Sequence, residues 1–255
     1  MKNLLRSLCI AFSMYSKIPV PQVEWTKESM KYFICFFPAV GIVIGAVTLL
    51  WDFAARAKLA ESPLFTVVLI LIPVLISGGI HLDGLLDTAD ALSSYKSQEE
   101  KLEILKDSHA GAFAIIVGIC WFLLDYGIYS ETDTEALRIL AVGFVLSRAL
   151  SGLAIVTFRM AKNTGLAATF SDMALKGRVR VVMGIYIILC AMGMMALSPI
   201  YGAAALLGAA VVFVWYRRMS YQKFGGITGD LAGFFLQNCE LAMAACVIGV
   251  KLLLR

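Results

Sequence analysis

Seven apolar stretches limit what this chain can become. They run from Tyr32 to Phe53, Leu64 to Ile80, Gly111 to Tyr129, Leu137 to Phe158, Val181 to Leu197, Ile200 to Tyr216 and Leu231 to Val250. Crossing the hydrocarbon core of a bilayer takes about 20 apolar residues in a helix, within a range of roughly 17 to 25, and each stretch reaches that length. Lipid offers the backbone no water, so such a segment satisfies its own N–H and C=O groups as a helix. Composition agrees: 60% of the residues are hydrophobic and 16% charged, whereas soluble domains are roughly 45 to 50% apolar and about 25% charged. The expected fold is all-α, a polytopic integral membrane helical bundle with about seven transmembrane helices in one domain over residues 1–255.

Local features refine that expectation. Ser198 and Pro199 leave so short a link that the fifth and sixth stretches form a tight helical hairpin. Pro38 and Pro73 fall inside their stretches, where proline removes a helical hydrogen bond and a kink is expected. The opening MKNLLRSLCIAFSMYSKIPVP has the basic start and apolar centre of a signal peptide but no small-residue cleavage site, and Lys17, Pro19 and Pro21 follow at once. Its Leu4, Leu5, Leu8, Ile10 or Ala11, and Phe12 fall at helical spacing away from Lys2 and Arg6. An uncleaved helix lying along the membrane interface is expected.

Orientation follows from the basic residues, which concentrate in cytoplasmic loops of membrane proteins. With the N-terminus inside, only Arg56, Lys58, Arg138, Lys251 and Arg255 of the 22 Lys and Arg fall outside, and Arg148 is left inside the fourth stretch. The cations sit in short loops rather than in a stripe interleaved with aromatics, so nucleic acid is not expected as a partner. The lipid bilayer of a bacterial or archaeal cytoplasmic membrane is. Every polar motif described below then faces the cytoplasm, which suggests one site at the inner face.

The strongest motif is GGIHLDGLLDTADAL, Gly78 to Leu92. Asp83, Asp87 and Asp90 stand at i, i+4 and i+7 and share one face of a helix continuing from the second stretch. Side chains four apart on a helix are close enough for two carboxylates to share a hard cation, and like charges at that spacing are destabilising without one. The flanking Leu82, Leu85, Leu86 and Ala89 set the acidic face in an apolar element, where a bare carboxylate is costly. An all-oxygen donor set suits Mg²⁺, which keeps several waters and takes one or two carboxylates together with substrate phosphates.

Phosphate-binding parts lie elsewhere in the chain. In KFGGITGD, Gly225, Gly226, Thr228 and Gly229 precede a helix start whose free N–H groups attract anions, and Asp230 stands there as N-cap or further metal ligand. KDSHAGAF supplies Lys106 as a phosphate ligand, His109 as a phosphate ligand or proton acceptor, and Asp107 as another metal ligand or an N-cap. Arg159 in FRMAKNTGLAATF offers a bidentate clamp. Within the lipid-facing stretches, Arg148 is either a phosphate ligand or the ion-pair partner of Glu240. His81, one turn ahead of the aspartates, is an alternative to Asp90 or Asp230 as proton acceptor.

Acidic and phosphate-binding groups repel unless a metal stands between them, so their joint presence points to phosphoryl or phosphonucleotidyl transfer. No G-x-x-x-x-G-K-[ST] loop occurs, and P-loop ATP hydrolysis is unsupported. A CDP-alcohol phosphotransferase would want D-G-x-x-A-R, but Leu85, Leu86 and Asp87 follow Asp83-Gly84. A secondary transporter would explain Glu240 and Arg148, yet no internal repeat is visible.

GGIHLDGLLDTADAL, KDSHAGAF, SRAL with Arg148, FRMAKNTGLAATF, GGITGD and the N-terminal FSMYSKIPVP resemble, in order along the whole chain, the motifs of the adenosylcobinamide-GDP ribazoletransferase (cobalamin 5′-phosphate synthase) family. The family's D-S-R-I-G motif reads Asp-Ser-His-Ala-Gly here. The resemblance implies a Mg²⁺-dependent membrane enzyme that joins adenosylcobinamide-GDP to α-ribazole or its 5′-phosphate and releases GMP. On that basis Asp83, Asp87 and Asp90 hold Mg²⁺, with Asp230 and Asp107 completing the shell. Homo-oligomerisation stays open.

Overall fold

The computed structural model describes residues 2–107, 109–162 and 164–255, and among them the regular structure is helical. Six helical segments are long and apolar enough to cross a membrane. These are α3 (Phe37–Leu59) with a 3-10 turn before it (Phe33–Phe36), α7 (Ala112–Ser130), α8 (Thr134–Thr157), α10 (Lys176–Leu197), α11 (Pro199–Phe224) and α12 (Gly229–Leu253). The chain is thus a polytopic helical membrane protein. Its shorter helices are α1 (Lys2–Tyr15), α2 (Lys27–Met30), α4 (Pro63–Ser77), α5 (Ile80–Ser93), α6 (Gln98–Ile104) and α9 (Leu166–Met173).

The second apolar stretch departs from the expected straight span. At about 1.5 Å per residue α4 is roughly 22 Å long, less than the roughly 30 Å hydrocarbon core. Gly78 and Gly79 follow with φ of +67° and +79°, left-handed angles that only glycine adopts cheaply. The chain turns there by 94° into α5. The three aspartates therefore lie on a separate helix bent away from the span, and not on its continuation. Pro38 also differs from expectation: it occupies the first turn of α3, where its missing N–H has no helical partner to lose. Ser198 ends α10 and begins α11, as the hairpin reading requires.

Helix α12 is the central post, packed against α5, α8 and α11, while α3 lies along α8. The α3–α8 contact is close because a Cβ on Gly45 would come within 2.7 Å of the Ala141 carbonyl oxygen, the small-residue packing common between helices in lipid. Helix α1 departs from a freely interfacial position. Its Ser7, Ile10, Ala11 and Tyr15 are buried against the bundle, Leu4 and Leu5 are exposed, and the Lys17 N–H donates to the Ile76 carbonyl at 2.8 Å. The end of the bundle expected to face outward is closed by ion pairs: Arg56 with Asp52, Lys251 with Asp133 at 2.9 Å and Arg255 with Glu131 at 2.9 Å. Those pairs occupy three of the five cations assigned to that side.

Candidate active site

At the opposite end, α1, the start of α3, α5, the α6–α7 loop, the α8–α9 linker and the head of α12 enclose a cavity of about 450 Å³. All four polar motifs contribute to it or border it, so segments far apart in sequence and expected on one membrane face do come together. Gly84 decides how closely α5 and α12 cross: a Cβ there would lie 2.5 Å from the Asp230 carbonyl oxygen, and one on Gly233 would lie 3.1 Å from that of His81. This crossing sets Asp83 beside Asp230 in the cavity wall, and Asp87 feels the charges of Asp83, Asp230 and Asp90.

The aspartates separate into two tasks. Asp83 is exposed, and Asp87 and Asp230 are half-buried. Asp90 instead accepts hydrogen bonds from the Gly111 N–H at 2.6 Å and the Ala114 N–H at 2.9 Å. Both its oxygens thereby serve the first turn of α7, whose own N-cap residue, Gly111, has no side chain to do so. Asp90 thus locks α7 against α5, a capping duty that Asp83, Asp87 and Asp230 do not carry. Asp90→Ala should destabilise the fold by about 1 to 2 kcal/mol, the value of a helix cap. Denaturant unfolding in detergent would measure that loss, and the metal dependence of the remaining activity should not change.

Asp230 does not cap α12 either. Thr228 accepts from the Leu231 N–H at 3.2 Å and performs that task, which leaves the Asp230 carboxylate at the cavity wall. Among the described residues none of the four aspartates makes an ion pair. Nor do three His, Cys, Asp or Glu side chains among them converge into a preformed metal cage.

The glycine loop is used differently from the phosphate cradle expected of it. Gly225, at φ +75°, ends α11 in the left-handed region. Gly226 leaves room for the α8–α9 linker, since a Cβ there would sit 2.5 Å from the Arg159 carbonyl oxygen. A short bridge joins the two segments, with Ile227 N–H donating to Arg159 at 2.9 Å and Ala161 N–H donating to Ile227 at 2.9 Å. These glycines dock one loop on another, while Thr228 and Gly229 line the cavity.

Arg159 takes part in that docking. Its Nε donates to the Gly225 carbonyl at 2.7 Å, its guanidinium lies over the Tyr221 ring, and it is not in the cavity wall. The cations that do line the cavity are Lys106 and Lys162. Glu103 holds both, Lys106 at 2.9 Å and Lys162 at 3.3 Å, and Lys162 also donates to the Leu102 carbonyl at 3.1 Å. Lys162 lies three residues beyond Arg159 in the FRMAKNTGLAATF motif, and the bidentate fork that singles out an arginine gives no signal for it.

Of the two roles read for Arg148, the structure shows the ion pair with Glu240 and sets the guanidinium outside the cavity wall. Arg148 is 1% exposed and donates to Glu240 at 2.7 Å and to the Phe144 carbonyl at 2.8 Å. Asp107 and His109 sit in an exposed turn outside the cavity wall, where the His109 ring nitrogen lies 2.7 Å from the Asp107 carboxylate. The His109 hydrogen bonds hold Asp107 below the usual carboxylate range. His81 is 5% exposed in the cavity wall, its ring 5.7 Å from that of Phe37 and 6.2 Å from that of Tyr15.

The chain is similar to known proteins along most of its length. A family model described as cobalamin-5-phosphate synthase matches residues 7–248. The chain is 51% identical over 245 residues to the adenosylcobinamide-GDP ribazoletransferase of Lachnoclostridium phytofermentans, covering 96% of this chain and 94% of that one. It is 30% identical over 242 residues to the protein of that name from Clostridium perfringens, covering 94% and 96%. With that of Listeria monocytogenes the identity is 30% over 254 residues, covering 96% and 98%. No solved structure matches the chain.

Proposed function

The chain belongs to the cobalamin-5-phosphate synthase family and is a transferase of cobalamin biosynthesis, and we propose that it joins adenosylcobinamide-GDP to α-ribazole or its 5′-phosphate at the cavity between α5 and α12. The observation that carries the placement is the α5–α12 crossing, which sets Asp83 and Asp230 in one wall that also holds Lys106 and Lys162.

The donor set fits Mg²⁺. Asp83, Asp87 and Asp230 offer oxygen alone, they lack protein counter-charges among the described residues, and they form no closed cage. A cation of this kind is held by one or two carboxylates and completed by water and substrate phosphates. When bound by Asp83 and Asp87, it would supply Lewis-acid stabilisation of charge on the diphosphate. Lys106 and Lys162 add positive charge at the same wall.

In the reaction, the oxygen of a secondary ribose hydroxyl, free in both α-ribazole and its 5′-phosphate, forms a bond to the phosphorus that bears the cobinamide. The bond from that phosphorus to the bridging oxygen breaks, and GMP departs with the electron pair. Asp230 accepts the hydroxyl proton, because Asp90 is committed to α7 while the Asp230 carboxylate is left in the cavity wall by the Thr228 cap. The site faces the cytoplasm: the basic loops and α1 surround it, and the opposite end holds ETDTEA and the outer ion pairs.

Purified protein in detergent should release GMP from adenosylcobinamide-GDP only when ribazole or its phosphate is added. GMP release independent of either acceptor would overturn the reading. Asp230→Asn should slow turnover and raise the Mg²⁺ concentration needed for half-maximal rate; a normal rate with an unchanged titration would remove Asp230 from the site.

A further inference from the structure

The cavity is graded from wet to dry. Its exposed polar members, Asp83, Lys106 and Thr164, stand at the rim beside Gly165, Gly229 and the exposed Ile80. The buried ones form a floor of aromatic and aliphatic side chains, among them Tyr15, Phe37, Ile155 and Phe170. The rings are arranged as a wall: Tyr15 and Phe37 centroids lie 4.1 Å apart, and the Phe37 and His81 centroids lie 5.7 Å apart. Beside the Tyr15 hydroxyl, two polar side chains belong to this floor, His81 at 5% exposure and Ser151 at 2%. The His81 Nε2 is buried with no hydrogen-bond partner among the described residues, although buried polar groups are nearly always partnered.

A floor with this chemistry discriminates between the two flat bases in the reaction. Guanine presents a carbonyl, a ring N–H, an exocyclic amine and ring nitrogens, and burying them against aliphatic and aromatic carbon would leave most without partners, at a cost for each. The base of ribazole is a methylated benzimidazole with one free ring nitrogen, and the remainder of its surface is apolar. An unengaged polar atom on an aromatic floor matches that inventory. Size agrees: a cavity of about 450 Å³ falls in the roughly 300 to 1,000 Å³ range that houses a small-molecule ligand, while a corrin ring with its side chains is several times larger than a nucleoside.

Resting on the transfer reaction proposed above, we infer that the dry floor between α1, α3, α5, α8 and α9 is the acceptor-base subsite, with His81 or Ser151 donating to the ring nitrogen. The ribose then extends toward Asp83 and Asp230 at the rim, and the corrinoid with its GDP approaches from outside. The N-terminal helix is thereby part of acceptor recognition through Tyr15, beyond its role at the membrane surface.

Full-length protein in lipid nanodiscs tests this in two ways. Equilibrium binding of α-ribazole, without the corrinoid substrate, should be weakened about tenfold or more by Ala168→Phe, which overfills the floor. GMP should not compete with ribazole in the wild type. Competition by GMP, or ribazole binding unchanged in Ala168→Phe, would overturn the assignment. In the second arm, wild type should prefer α-ribazole over its indole analogue, whose free ring nitrogen is a CH, by roughly tenfold in KM, the scale of one hydrogen bond. The milder His81→Phe and Ser151→Ala variants are compared with it. Loss of that preference in one of them, with KM for adenosylcobinamide-GDP within about twofold of wild type, supports the subsite. Retention of the preference in both, or a shift confined to the GDP substrate, overturns it. Absence of GMP release by the wild type would count against the transfer reaction itself, and the binding arm would still decide the subsite.

Discussion

Asp83→Asn is expected to lower GMP release by about three orders of magnitude at saturating substrates, the rate equivalent of several kcal/mol of charge stabilisation at the diphosphate. The substitution keeps the shape of the side chain and removes only its charge. Asp83 is exposed at the cavity rim and appears in no side-chain hydrogen bond among the described residues, so the helix around it should be unaffected. An unfolding midpoint close to wild type and retained α-ribazole binding would show that the loss is chemical. Wild-type turnover at saturating Mg²⁺ would remove Asp83 from the cation site. The contrast with Asp90 sharpens the test. On the sequence the two aspartates look alike, yet the structure predicts a rate defect at Asp83 and a stability defect at Asp90.

That contrast also shows how far the sequence was legible. Hydropathy located the long helices, because lipid allows few alternatives to an apolar helix of that length. It missed the break at Gly78 and Gly79, since two adjacent glycines in an apolar run do not announce left-handed angles without knowledge of what packs beyond them. Charge patterning grouped the polar motifs on one face, but spacing within α5 could not separate Asp90 from its neighbours. Its partners, the Gly111 and Ala114 amides, are more than 20 residues away in the chain, and helix periodicity carries no information about another helix's uncapped end. The same limit explains Arg159 and Lys162. Both lie in one short motif, and only the docking of the α8–α9 linker on the Gly225 loop turns Arg159 aside and leaves Lys162 in the wall.

Arg148→Ala should destabilise the protein by about 3 to 5 kcal/mol, because it leaves the Glu240 carboxylate buried without its counter-charge. The Ser147 hydroxyl, which donates to the same carboxylate oxygen at 2.7 Å, cannot replace a guanidinium. Glu240→Ala should have a similar cost, through the orphaned guanidinium. Replacing both, as Arg148→Met with Glu240→Leu, removes the charges together and fills their space with apolar carbon. Most of the lost stability should therefore return, as it does when buried ion pairs are exchanged for hydrophobic residues of similar volume. The double variant separates two roles that the sequence left joined. If Arg148 clamps a phosphate, the variant will fold but its KM for adenosylcobinamide-GDP will rise tenfold or more, about the value of a charge-assisted hydrogen bond. If Arg148 and Glu240 only fasten α8 to α12, that KM will stay near wild type once the fold is restored. The 2.7 Å pairing and the absence of Arg148 from the cavity wall favour the second outcome. The cations facing substrate are then Lys106 and Lys162 at the rim, where solvent makes a charge cheap to keep until phosphate arrives.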